Sequence, residues 1–149
     1  MISISIFRFF KEVTTVFPDK YVHIGGDEVN LDCWKSNPST AAYVAKYLRG
    51  DYRALESEFV NRLLDIIKSY PTNNGYIVWQ EVFDNKDKVK EDTIVEVWKG
   101  GGTNWQRTMA AVTKSGLRGI LSSPWYLNYI NYGADWVKYY QADPHNFQV

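Results

Sequence analysis

Four short apolar runs, at residues 21–24, 76–80, 93–98 and 117–121, constrain the fold more than any other feature. Each is rich in β-branched and aromatic residues and bounded by polar turns, so each reads as a strand. Runs that are apolar throughout suit strands of a parallel sheet covered on both faces. Amphipathic stretches lie around them. At Ile6, Phe9, Phe10, Val13 and Phe17 apolar residues recur at three- and four-residue steps, which predicts a helix stopped by Pro18. Asn37-Pro38 supplies a cap and a first helical residue for a second helix ending at Gly50. A third, over residues 53–70, carries the stripe Leu55, Phe59, Leu63, Ile66 and Ile67, with Pro71 beyond it. Asn73-Asn74-Gly75 reads as a turn, and a further helix over residues 104–115 closes at Gly116. The segment after Tyr126 reads as aromatic loop. This order of strands and helices predicts an α/β layer with a parallel sheet.

The 149 residues suffice for one domain with one core. Apolar residues at 45% and charged residues at 23% exclude a disordered chain and a membrane protein. Seventeen basic residues balance seventeen acidic ones, which removes the electrostatic case for nucleic acid or an anionic membrane as partner. A single cysteine, Cys33, rules out an internal disulfide and a cysteine-built metal cluster. The apolar start lacks a basic leader and a small-residue cleavage site and runs into Lys11-Glu12, so it reads as helix rather than signal peptide. Asn37 is followed by Pro38, so it is no glycosylation acceptor. Nothing in the residues themselves specifies a compartment.

Each predicted strand leads at its carboxyl end into acids or aromatic rings: Asp27-Glu28, then Trp79 with Glu81, then Trp98, then Trp125-Tyr126. In parallel α/β folds those ends share one rim where ligands bind. Asp27 and Glu28 are neighbours, which in a regular strand would point to opposite faces and could not flank one bond. At a strand end they can diverge, one acting on a leaving group and the other holding an adjacent substituent. The plainer reading is a solvated acidic loop, against which Gly25-Gly26 speaks by allowing a sharp turn or a close approach. Trp79, Trp98 and Tyr126 are either large core residues or the walls of a pocket suited to the mixed surface of a sugar. His23, inside an apolar run, reads as a satisfied core histidine rather than a ligand, and with His145 in a distant loop no metal site is indicated.

His23-Ile24-Gly25-Gly26-Asp27-Glu28-Val29 followed by Cys33-Trp34-Lys35-Ser36-Asn37-Pro38 resembles the catalytic strand of the family 20 glycoside hydrolases, the β-N-acetylhexosaminidases of the lysosomal α/β-subunit type. Phe9-Phe10-Lys11-Glu12 precedes it in the family's order. Val78-Trp79-Gln80-Glu81-Val82-Phe83-Asp84, Thr93-Ile94-Val95-Glu96-Val97-Trp98-Lys99 and Ser123-Pro124-Trp125-Tyr126-Leu127-Asn128 follow in that order. The resemblance covers nearly the whole chain. It implies part of a (β/α)8 barrel, about strands four to seven with their helices, residues 1–149 forming a partial catalytic domain; a complete barrel needs about 250 residues.

The resemblance further implies a retaining hydrolase that releases terminal N-acetylglucosamine or N-acetylgalactosamine without a protein nucleophile, the 2-acetamido oxygen attacking its own anomeric carbon. Glu28 would be general acid and then base, and Asp27 would orient the acetamido N–H. Tyr126 would bond the attacking carbonyl oxygen, Trp79 and Trp98 would enclose the acetamido methyl, and Asn128 would contact substrate. No cofactor or metal is implied. The implied partners are an amino-sugar glycan and, in a homo- or heterodimer, a hexosaminidase subunit; the implied location is lysosomal or secreted. The alternative is a non-catalytic remnant or incomplete gene model that binds amino sugars or such a subunit. Tyr129 stands where the α-type subunit is basic, which leaves sulfated or sialylated substrates without support.

Overall fold

The chain runs α1 (Ile2–Val16), β1 (Tyr21–His23), α2 (Leu31–Lys35), α3 (Pro38–Tyr47), α4 (Tyr52–Lys68), β2 (Gly75–Trp79), α5 (Gln80–Asp84), β3 (Thr93–Val97), α6 (Asn104–Lys114), β4 (Arg118–Leu121) and α7 (Trp136–Tyr140). A computed structural model describes residues 2–71, 75–100 and 104–148. The four strands are all parallel and lie in chain order, β1-β2-β3-β4, with Tyr21 opposite Gly75, Tyr76 opposite Thr93 and Ile94 opposite Arg118. Parallel strands that neighbour one another in sequence order are the repeating plan of a (β/α)8 barrel, here an arc of four.

Local chemistry sets the helix limits. The Asn37 side chain accepts from the Ser39 and Thr40 N–H groups, with Pro38 at the first helical position of α3. Asp51 does the same for Arg53 and Ala54 at the start of α4. The core lies between one face of the sheet and the helices: Tyr76, Val78, Val95, Val97 and Leu121 pack against Val60, Leu63, Leu64 and Ile67 of α4, Val82 of α5, and Trp105, Met109 and Val112 of α6. Each such side chain removed wholly from water contributes about 1.5–3 kcal/mol before entropy is counted. Helix α1 joins this core through Ile6 and Phe10, and the Tyr70 hydroxyl donates to the Phe7 carbonyl.

The structure departs from expectation in physical detail. Helix α1 begins at Ile2, before the first apolar step of its stripe. The five-residue helices α2, α5 and α7 were not anticipated, and Gln80 opens α5 instead of closing β2. Residues 73 and 74 of the expected turn lie outside the described residues, and Gly75 opens β2.

The sheet is not apolar on both faces. Val22 and Ile24 pack toward the helices, so alternation sends Tyr21 and His23 to the opposite face, where they meet Trp79 and Glu96 and the exposed Arg118. His23 is therefore satisfied, but on the concave face and not in the core. Tyr21 lies across Gly75, where a Cβ would come within 2.5 Å of its ring, and accepts a hydrogen bond from Arg118 at 2.9 Å on the far edge strand.

Candidate active site

Beyond β1 the backbone turns through residues that few side chains tolerate. Gly25 and Gly26 have φ of 77° and 102°, and a Cβ on Gly26 would fall 2.4 Å from the Val82 methyl of α5. Glu28 also adopts a positive φ of 46°, unusual for a residue with a Cβ and a local strain of about 1–3 kcal/mol. The turn is held to its neighbours: the Ile24 N–H donates to the Ile77 carbonyl at 2.9 Å and the Trp79 N–H to the Gly25 carbonyl at 3.0 Å. The side chains of Asp27 and Glu28 are both exposed.

Glu81 anchors the other side of this turn. Its carboxylate accepts from the Glu28 backbone N–H at 3.3 Å and from the Trp98 indole N–H at 2.8 Å, and Lys99 Nζ lies 2.9 Å away. Burial alone would push the Glu81 carboxyl up, but the hydrogen bonds from Lys99 and Trp98 outweigh it and hold the group below the usual glutamate range. A charge that accepts three donors from two segments, the turn at Glu28 and the adjacent Trp98 and Lys99, fixes their relative positions.

The rings form a continuous series. His23 and Trp79 have centroids 4.7 Å apart, Trp79 and Trp98 6.2 Å, Trp98 and Tyr126 6.3 Å, and Tyr126 and Tyr129 5.8 Å. An open hollow of about 470 Å³ is lined by Trp79, Glu96, Trp125, Tyr126, Leu127 and Asn128. Burial first, then Tyr129 and the carboxylates of Glu96, Glu81 and Asp27, push the Tyr126 phenol up, so it remains an O–H donor. Among the described residues no group of three His, Cys, Asp or Glu side chains is arranged to hold a metal ion.

Trp79, Trp98, Tyr126 and Asn128 thus share one rim, and Glu28 joins it through its backbone bond to Glu81. Asp27 acts on Tyr126 electrostatically and also lines a smaller cavity of about 140 Å³ with Trp34, Glu56 and Phe59, on the helix side of the turn. Sequence reasoning placed Glu81 at a strand end without a role and passed over Glu96 and Lys99. The signal was an acid within the otherwise apolar run of β3, opposite Trp79 in register.

An acidic turn and an aromatic hollow at the carboxyl ends of consecutive parallel strands are the marks of an α/β-barrel ligand site. The chain belongs to glycosyl hydrolase family 20, whose catalytic-domain model matches residues 4–148. It is 48% identical over 141 residues to beta-hexosaminidase subunit alpha of Rattus norvegicus, covering 94% of this chain and 26% of that protein. Against beta-hexosaminidase subunit beta of Homo sapiens it is 49% identical over 140 residues, covering 93% and 24%. The chain therefore spans about a quarter of the length of these curated relatives. Its fold is similar to that of the Flavobacterium johnsoniae chitobiase, with a TM-score of 0.68 at 25% identity over 83% of this chain and 19% of that one. A GH20 exo-β-N-acetylglucosaminidase from Vibrio harveyi gives 0.65 at 24% over 78% and 17%, a likeness of fold. The arc of four strands is a partial (β/α)8 barrel.

Proposed function

We propose that this chain carries the catalytic acid and acetamido pocket of a β-N-acetylhexosaminidase that releases terminal N-acetylglucosamine or N-acetylgalactosamine. The observation that carries the reading is the run of Trp79, Trp98 and Tyr126 rings beside a strained Asp27-Glu28 turn. In this scheme Glu28 gives its proton to the glycosidic oxygen as the anomeric C–O bond breaks. The substrate's acetamido oxygen forms the new bond to the anomeric carbon from the opposite face, and Asp27 accepts from the acetamido N–H and offsets the positive charge that develops. Tyr126 donates to the acetamido oxygen and aligns it. Trp79 and Trp98 cover the methyl, and Asn128 binds substrate at the mouth. Glu28 then takes a proton from water, which opens the oxazolinium ring with net retention.

Neighbouring acids suit this division of labour because neither has to reach the far face of the sugar. Assignment of residues 1–149 to part of a catalytic domain, a dimer with a hexosaminidase subunit, and a lysosomal or secreted location belong to the same reading. The dimer draws support from relatives that are themselves named as subunits, and the domain assignment from the family model over residues 4–148. Among the described residues no helix is long and apolar enough to cross a membrane.

Hydrolysis of an aryl β-N-acetylglucosaminide or chitotriose by this chain, abolished in Glu28→Gln, is the expected result. The exposed site on a chain spanning a quarter of its relatives favours a second reading, amino-sugar binding without turnover. Saturable binding of chitotriose with no product would establish that one instead.

A further inference from the structure

The mechanism leaves one engaged side chain unused. His23 occupies the last position of β1, and its Nδ1 accepts from the Gly25 N–H at 3.0 Å, so the neutral ring carries its proton on Nε2. Nε2 faces Glu96 Oε2 of β3 at 3.3 Å, and the ring lies against Trp79 of β2. One imidazole therefore touches three successive strands at the level where the site begins. Its bond to Gly25 sits at the first residue of the turn that presents Asp27 and Glu28, a turn in which Glu28, a residue with a Cβ, holds a positive φ of 46° that needs outside support.

We infer that His23 is a positioning residue: its Nδ1 fixes the Gly25 N–H and with it the turn that aims Glu28, while its ring sets the face of Trp79. It touches no reacting atom. Small displacements of a catalytic group cost up to about a hundredfold in rate, which gives such a residue leverage without direct contact. This inference rests on the proposed hexosaminidase chemistry for its kinetic consequence and on geometry alone for its spectroscopic one.

The two consequences are tested separately on the full 149-residue chain. The sequence contains two histidines, His23 and the exposed His145, so imidazole nitrogen spectra hold two resonance sets with an internal reference. The neutral form of His23 is expected as a fixed Nε2–H tautomer with a hydrogen-bonded Gly25 amide, whereas the exposed His145, whose Nδ1 lies 3.6 Å from Asp143 Oδ1, has no contact that would hold its proton on Nε2. A His23 spectrum indistinguishable from that of His145 overturns the inference whether or not the chain hydrolyses anything.

The variants then separate the two ring nitrogens, because asparagine places a polar atom near Nδ1 and glutamine places one near Nε2. His23→Ala is expected to lower kcat by tenfold to a hundredfold with KM changed less than threefold. His23→Asn should recover most of that loss and His23→Gln little of it. Equal recovery by both, or full activity in a folded His23→Ala, overturns the role assigned to Nδ1. A wild-type chain with no activity sinks the proposed function and leaves the nitrogen spectra as the deciding measurement.

Discussion

At the residue scale, the site's shape depends on two residues, Gly26 within the acidic turn and Glu81 beside it. Gly26 is required twice over, by its φ of 102° and by the Val82 methyl 2.4 Å from where a Cβ would stand. Gly26→Ala is expected to cost about 2–3 kcal/mol in urea unfolding, and a double-mutant cycle with Val82→Ala, itself destabilising because Val82 is wholly buried, should show the steric part as coupling between the two sites and leave the conformational part. Glu81 carries the second dependence. Its folded carboxyl lies below its unfolded value, so its contribution is complete above the ordinary glutamate range and disappears as the pH falls through the lower folded value. Melting temperatures of wild type and Glu81→Gln should differ most near neutrality and converge on acidification. A constant gap down to pH 3 would contradict this. The Gly25-Gly26-Asp27-Glu28 turn was legible because glycines announce backbone freedom. Glu81's role was not, since it depends on donors from Glu28 and Trp98, segments far apart in sequence.

At the scale of elements, what could be read in advance follows length. Helix α4, seventeen residues with a regular stripe, was visible from periodicity, and α3 from its Asn37-Pro38 start. Helices α2, α5 and α7 have five residues each, too few to repeat a 3.6-residue period, and the first residue of α5, Gln80, reads as the end of the strand before it. The stripe predicted for α4 was also offset: Phe59 is substantially exposed, while Val60 and Leu64 fill the core. Truncating the wholly buried Leu64 to Ala should cost about 2–5 kcal/mol, and Phe59→Ala under about 1.5 kcal/mol, measured by the same denaturant titration. Asp51→Ala removes the cap of α4 and should cost about 1 kcal/mol.

For the whole molecule, the outer edges of β1 and β4 have no strand beside them among the described residues, and the concave face presents Ile120 partly to solvent. Open edges with apolar neighbours template pairing with further chains. Sedimentation velocity should show association that rises with concentration, and Ile120→Lys should weaken it without lowering the melting temperature appreciably. A wild-type monomer throughout the micromolar range would refute the expectation. The rim at the strand ends was foreseeable because parallel strands put all their carboxyl ends together. The polar lining of the concave face was not, because the strand runs carry Glu96 and His23 among residues that look uniformly apolar.

The bond from Arg118 to Tyr21 joins residues 97 apart in the chain. While a ribosome is still synthesising the polypeptide, β1 emerges long before Gly75–Trp79, its ladder partner, and longer still before the arginine that clasps its tyrosine. The nascent segment around Tyr21 must therefore wait for these two partners, and its vulnerability to premature contacts is set by how quickly the later strands are translated.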